Sequence, residues 1–254
     1  MFQVALARWK QGHRTIPYPA KAPEMPERFR GLPIVDVAKC TDGCRACAEA
    51  CPTDAIEIGE RGFRLDLGRC LFCTDCVQAC PEGAIQYTQE FRLAARTRED
   101  LIYDGRTLKV AQALDEESRR LFGRSLKLRQ VSAGGCGACE ADLNVLSTIV
   151  FDLGRFGIQF VASPRHADGI VVTGPVTENM KSALLSAYAA MPAPKLVILV
   201  GAEAISGGIF RGHPNIHDGC EGLLPVDLYI PGWPPHPMTI LDGLLRLLGL
   251  LEKN

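Results

Sequence analysis

The chain has 254 residues, 47% of them hydrophobic and 22% charged, the balance of a folded protein with room for one large domain or two ordinary ones. A formal net charge of -1 gives the molecule as a whole no electrostatic basis for binding nucleic acid. The longest apolar stretch, Ile240 to Leu251, is broken by Asp242, Gly243 and Arg246. A spanning helix needs about 20 apolar residues, so an integral membrane protein is not expected.

Nor does the short apolar start before Arg8 and Lys10 read as a signal peptide. Eleven cysteines, an odd number with no secretory leader, point away from a disulfide scaffold. They are expected to be metal ligands in a reducing cytoplasm.

Charge is segregated along the chain. Residues 1–34 hold six basic and two acidic residues, together with Pro17, Pro19, Pro23 and Pro26. This basic, proline-rich arm reads either as a solvated tail or as an extended segment lying across a partner subunit or an anionic membrane surface. Residues 35–90 are net -5, residues 91–130 net +4 and residues 131–254 net -4. The expected division is an arm over 1–34, a repeat module over 35–90, a helical basic linker over 91–124 and an α/β module over 125–254. Leu93, Leu101, Ala111, Leu114 and Leu121 supply the linker's intermittent apolar points.

The first module is an internal repeat. Lys39–Glu57 reads KCTDGCRACAEACPTDAIE and Arg69–Gln86 reads RCLFCTDCVQACPEGAIQ. Cys44, Cys47, Cys51, Pro52, Ala55 and Ile56 recur 29 residues later as Cys73, Cys76, Cys80, Pro81, Ala84 and Ile85, while Cys40 and Cys70 are 30 apart. A unit this small buries too little apolar surface to hold itself together, and metal bonding would supply the missing folding energy. C-x2-C-x2-C-x3-C-P is the bacterial iron–sulfur run, in which three thiolates wrap one [4Fe–4S] cluster and the fourth reaches the other. That assigns Cys40, Cys44, Cys47 and Cys80 to a first cluster and Cys70, Cys73, Cys76 and Cys51 to a second. A zinc ribbon would want two well-separated C-x2-C pairs. Over roughly residues 33–90 the segment resembles the two-cluster bacterial ferredoxin family, from which it departs in the C-x3-C opening at Cys40.

Beyond the linker, SLKLRQV alternates, IQFVAS and GIVVTG are short β-branched runs, and LVILVGA and VDLYIPG follow. Helical segments are expected near Glu140–Ile149, Thr177–Ala190 and Met238–Leu251. Strands alternating with helices imply a mainly parallel, flavodoxin-like open sheet. The fold class is therefore an α+β two-cluster module followed by an α/β module. Ligands gather at the carboxyl ends of such strands. The residues there are Cys136 and Cys139 after the first strand, Glu203 after LVILVGA and Trp233 after VDLYIPG. No G-x-G-x-x-G opens a helix after a strand, which argues against a dinucleotide site.

Most of residues 119–251 resemble the small subunit of group 4, energy-converting [NiFe] hydrogenases and the 20-kDa-type subunit of respiratory complex I. The resemblance runs through FGRSLKLRQVSAGGCGACEADLN, FGIQFVASPRHADGIVVTGPVTENM, VILVGAEAISGGIF and VDLYIPGWPPHP. With the ferredoxin module in front, it implies an electron-transfer subunit of a formate hydrogenlyase-type or complex I-like oxidoreductase. Its implied partners are a hydrogenase-like or complex I-like large subunit, membrane ion-pumping subunits and a redox protein donor or acceptor. The implied place is cytoplasmic, peripheral on the inner face of the cell membrane through those subunits. This chain itself shows no acid–base or nucleophile constellation.

The resemblance also implies a proximal cluster with four cysteine ligands. Two match Cys136 and Cys139; where the family has the others, this chain has Glu203 and Trp233. Three readings are open. The proximal cluster is lost and Trp233 fills its space; or Cys136, Cys139, Cys220 and Glu203 hold an altered third iron–sulfur cluster; or zinc is bound by His213, His217 and Cys220 with another thiol. Loss would make the α/β module partly a scaffold, in an assembly other than an ordinary hydrogen-evolving one. An assembly adaptor with structural clusters, whose α/β domain docks subunits, is the alternative function.

Overall fold

A helix, α1 (Phe2–Gln11), opens the chain with none of its residues buried. The computed structural model describes residues 2–59 and 62–251. From Thr15 onward the arm lies on its own chain. Thr15 Oγ1 donates to the Ile149 carbonyl at 2.8 Å and the Ile16 N–H to that of Val150 at 2.9 Å. The Tyr18 ring is buried and its hydroxyl donates to Asp242 at 2.5 Å. Farther along, the Gly31 and Leu32 N–H groups reach the carbonyls of Thr88 and Glu90. Over residues 15–32 the solvated-tail reading therefore gives way to an intramolecular belt. Its sparse apolar residues Ile16, Tyr18, Met25 and Phe29 all join the core of the α/β module.

The repeat module contains β1 (Pro33–Val35), α2 (Ala46–Glu49), β2 (Ile56–Gly59), β3 (Gly62–Asp66), α3 (Asp75–Ala79) and β4 (Ile85–Tyr87). β1 pairs antiparallel with β4, and β2 with β3. The repeat offset carries one pair onto the other: Pro33 faces Tyr87, and their counterparts Phe63 and Ile58 face each other. The sequence repeat is therefore a structural pseudo-twofold.

Residues 91–124 are not the helical connector expected from their apolar points. They hold β5 (Ile102–Tyr103), which extends the β2–β3 pair, and only one α-helix, α4 (Glu116–Phe122). Irregular spacing of Leu93, Leu101 and Leu114 makes no helical stripe; each is buried separately. Ala95 exchanges both backbone hydrogen bonds with Tyr229, tying the segment to the second module's sheet edge.

That sheet is built from β6 (Leu126–Ser132), β7 (Ile158–Phe160), β8 (Gly169–Thr173), β9 (Leu196–Val200) and β10 (Leu228–Ile230). All neighbours are parallel and the order is β7-β6-β8-β9-β10, that of doubly wound flavodoxin-like sheets. β8 and β9 are buried at every position, which is why GIVVT and LVILV are unbroken apolar runs. The helices are α5 (Ala138–Val145), α6 (Glu178–Ala190), α7 (Ala202–Ser206) and α8 (Pro237–Leu247). α8 starts with Pro237 just inside and His236 as its cap, whose Nδ1 accepts the Met238 N–H at 3.1 Å.

One apolar cluster runs through both modules, from Phe63, Leu65 and Leu67 through Leu101 to Ile205 and Tyr229. The modules therefore share a core. The chain crossing at β6/β8 is the topological switch point, and the loop carrying Cys136 and Cys139 leaves β6 there.

Candidate metal centres

In each copy of the repeat the chain turns after the cysteine–proline step. Cys51 Sγ accepts the Ala55 N–H at 3.2 Å, and Cys80 Sγ accepts the Ala84 N–H at 3.3 Å. The same donor thus serves the same sulfur 29 residues apart. Cys70 Sγ also accepts the Phe72 N–H at 3.4 Å.

Two cavities open between these loops. One, of about 430 Å³ including space open to solvent, is lined by Cys51, Cys70, Cys73 and Cys76. The other, of about 890 Å³ including its open mouth, is lined by Cys40, Cys44, Cys47 and Cys80. Each cavity therefore gathers three cysteines from one copy of the repeat and the proline-linked cysteine of the other. Electrostatic neighbours divide the same way: Cys80 and Cys44 act on Cys40, whereas Cys76, Cys51 and Cys73 act on Cys70. Burial, the largest cause, pushes the Cys70 thiol up to about 12 and that of Cys76 to about 11. A buried thiol held protonated gives no thiolate by itself; a bound metal would have to displace the proton.

The donor chemistry fits an iron–sulfur cluster better than a bare ion. All eleven cysteines are free of disulfides. Among the described residues no trio of His, Cys, Asp or Glu converges on a single-ion position. Four thiols gathered around one cavity suit a multi-iron cluster. The two cavities are unlike in exposure, however. Cys70 and Cys76 are each 8% exposed, while Cys40 lies on the surface. β5 accounts for part of this, because it covers the side of β3 that leads into the Cys70 loop.

The carboxyl edge of the parallel sheet holds the third group of candidates. Cys139, on the first turn of α5, is 2% exposed, and Cys136 is on the surface. Glu203, on α7, is 1% exposed and faces both of them. Two glycines make this approach feasible. A side chain at Gly135 would start 2.4 Å from Glu203 Oε2, and one at Gly201 would start 2.5 Å from Cys139 Sγ. The indole Nε1–H of Trp233 donates to Glu203 Oε1 at 2.8 Å. Burial, then Glu203, hold the Cys139 thiol well above its ordinary value.

Glu203 acts on Cys136 and Cys139, whereas burial alone raises the Cys220 thiol. Cys220 is fully buried in the cluster containing Leu224 and Tyr229, while Cys139 belongs to the other core cluster. Of the zinc candidates, His217 Nε2 meets Glu178 Oε2 at 2.5 Å and His213 Nδ1 accepts the Asn215 N–H at 3.2 Å. These pairings, with Cys220 turned inward, leave the zinc reading without a converging ligand set.

The cavity around Cys70 and the third group are close neighbours. Ser206, one turn along α7 from Glu203, donates to the Gly68 carbonyl at 2.9 Å, two residues before Cys70. An open cleft of about 690 Å³ brings Leu71 and Phe72 opposite Trp233 and His236, with Arg28 and Arg30 at its rim.

Comparison with known proteins now places the chain. Residues 136–247 match the model of the NADH ubiquinone oxidoreductase 20 kDa subunit, and residues 39–84 that of a 4Fe-4S dicluster domain. A probable membrane-bound hydrogenase subunit (mbhJ) of Pyrococcus furiosus is 37% identical over 134 residues, 53% of this chain and 80% of that protein. The chain belongs to the 20 kDa subunit family. Formate hydrogenlyase subunit 7 of Escherichia coli is 45% identical over 131 residues, 52% of this chain and 51% of its own length. An NADH-quinone oxidoreductase subunit of Citrifermentans bemidjiense is 44% identical over 113 residues, covering 44% of this chain and 66% of that protein. The chain thus spans about half the length of one of these relatives and more of the others.

This 20 kDa-family chain is accordingly an iron–sulfur protein of the complex I-like and group 4 hydrogenase-type kind, with a dicluster domain placed in front. No helix among the described residues is long and apolar enough to cross a membrane. Sequence reasoning missed the contribution of Tyr87, which lines the 430 Å³ cavity with Cys70, Cys73 and Cys76. The signal was present in the repeat itself: 29 residues earlier the same position is Ile58.

Proposed function

We propose that this chain carries electrons within a membrane-associated complex I-like or group 4 hydrogenase-type oxidoreductase, through two [4Fe–4S] clusters and no third. Cys40, Cys44, Cys47 and Cys80 would hold the first, and Cys70, Cys73, Cys76 and Cys51 the second. The observation that carries this reading is the matching of each predicted ligand set to the lining of one cavity. When bound, each cluster accepts and returns single electrons. The chain's own residues fix the sulfurs, through the Ala55, Ala84 and Phe72 N–H groups, and exclude water from the second site.

The exposed first site, on a module of net charge -5, is the face for a basic redox protein. The buried second site faces the α/β module. There Trp233 and Glu203 occupy the positions of two family cysteines, and their hydrogen bond supports loss of the proximal cluster over an altered one. Electrons leaving the second site would then have to reach a large subunit by another route. Membrane attachment would come through partner subunits on the inner face. The exposed Phe2, Leu6 and Trp9 of α1 are available for such contacts.

The test is iron and acid-labile sulfide per chain, with EPR of the reduced protein, partner clusters being subtracted. About 8 iron atoms support two clusters and a vacant proximal position, and about 12 would show a third cluster. Reducible clusters exclude the assembly-adaptor alternative in its strict form. Dissociation of the complex by Cys73→Ser, with the remaining cluster redox-silent, would favour it.

A further inference from the structure

The two halves of the repeat differ at several positions that face a cavity in both, Thr53 and Glu82 among them, and Tyr87 and Ile58 are a further such pair. Tyr87 lines the cavity of Cys51, Cys70, Cys73 and Cys76, and its repeat counterpart Ile58 lines that of Cys40, Cys44, Cys47 and Cys80. Their strand partners correspond too, Pro33 facing Tyr87 and Phe63 facing Ile58. Tyr87 shares its cavity with Cys70 and Cys76, and its ring is tilted against Phe72 at 6.2 Å. A phenol keeps its proton at neutral pH and can donate it to sulfur. Ile58 has no donor to offer.

We propose that Tyr87 sets the reduction potential of the second cluster, by donating its O–H to a cluster sulfur that the first cluster's Ile58 cannot serve. This rests on the two-cluster reading above. A hydrogen bond to sulfur stabilises the reduced, more negative state, because the donor dipole gains more from each added electron. Burial acts in the opposite sense, since low-dielectric surroundings penalise added charge. The second site is the more buried of the two, with Cys70 and Cys76 each 8% exposed and Cys40 on the surface. The paired backbone donors, Ala55 and Ala84, are the same at both sites and cancel in the comparison, while the Phe72 N–H on Cys70 adds to the second site in the same sense as Tyr87. Tyr87 therefore offsets the burial of the second cluster, so that an electron arriving at the exposed first cluster can move inward without an uphill step.

The test is an EPR-monitored redox titration of the intact protein or complex carrying Tyr87→Phe and, separately, Ile58→Tyr. Tyr87→Phe is expected to lower one midpoint by about tenfold in the reduction equilibrium, ~59 mV for a one-electron couple. It should also remove one exchangeable proton coupled to that cluster in ENDOR after transfer to deuterated buffer. Ile58→Tyr is expected to raise the other midpoint and leave the first unchanged. Unshifted midpoints in Tyr87→Phe at full iron content overturn the assignment. Should Tyr87→Phe lose iron, an unmoved midpoint in iron-replete Ile58→Tyr overturns it equally. A wild-type protein lacking reducible clusters defeats the functional reading itself, and that failure is visible before any substitution is made.

Discussion

The Trp233 indole and the Glu203 carboxylate form a hydrogen-bonded pair at 2.8 Å, joining the segments that follow β10 and β9. Cys136 and Cys139 remain on the facing loop, with glycines at 135 and 201 leaving room for sulfur and carboxylate. On the reading proposed above, these two thiols are half of a four-cysteine set. The double substitution Glu203→Cys with Trp233→Cys is expected to complete it and to raise iron from about 8 to about 12 per chain after anaerobic reconstitution. Either single substitution should retain less iron than the double variant, because one position of the set still lacks a thiolate. Unchanged iron in the folded double variant would show that the backbone at this edge has closed around the indole.

Tyr18 and α1 belong to the same N-terminal arm but carry very different energetic weight. Tyr18 is buried and donates to Asp242 Oδ1, while Arg246 Nε holds Oδ2 at 2.7 Å. Tyr18→Phe leaves a fully buried carboxylate with one partner fewer, at a cost of about 1–3 kcal/mol. Deleting Phe2–Gln11 removes no buried residue and should cost no more than about 0.5 kcal/mol. Thermal denaturation of both variants checks the contrast. Comparable losses would mean that α1 is seated on the body in solution.

The parts legible in sequence were those whose chemistry is local. A cluster run is a spacing rule, so eight cysteines could be sorted into two sites before any geometry was known. β8 and β9 could be read because burial on both faces leaves nearly every position apolar, Thr173 at the end of β8 being the exception. The arm and β5 were not legible, since their order comes from backbone hydrogen bonds to remote residues. Ala95 pairs with Tyr229, and Ile16 with Val150. Such pairings need only an extended backbone and leave no periodicity to read. Cys220 shows the opposite failure: its residue type suggested a ligand, but only packing reveals that it lies in a different cluster from Cys139.

His236 gives the molecule a pH-dependent stability term. Burial holds its pKa below the ordinary 6.5, and its neutral Nδ1 caps α8. Phe29 lies edge-on to the ring at 5.4 Å, and Arg28, Arg30 and Asp142 share its cleft. The unfolded chain, titrating near 6.5, binds the proton more readily than the folded one. The contribution is therefore complete above pH 6.5 and is lost as pH falls through the lower folded value. His236→Asn keeps an N-cap acceptor without the titration. Its Tm should fall less than that of wild type between pH 7 and pH 5, and parallel curves would exclude the assignment.

Arg98 joins three parts of the chain at one guanidinium. Nη1 and Nη2 grip both oxygens of Asp66, at 2.7 and 2.5 Å, and Nε lies 3.6 Å from Glu221. Asp66 in turn accepts the Gly68 N–H at 2.9 Å and lies 3.3 Å from Arg69, so it organises the loop that ends at Cys70. Both members of the Arg98–Asp66 pair are largely shielded, and removing one leaves the other's charge stranded. Arg98→Leu should cost about 3 kcal/mol, the low end for a broken buried pair, because some solvent reaches this one. Arg98→Lys should restore only part of the loss, since an ammonium lacks the two-pronged geometry. The loop carries a ligand of the second cluster and none of the first three cysteines of the other copy. Iron lost on exposure to chelator should therefore come first as about four atoms per chain in Arg98→Leu, with the first cluster's EPR signal persisting. Simultaneous loss of both signals would show that the shared core, rather than this ion pair, governs retention at the second site.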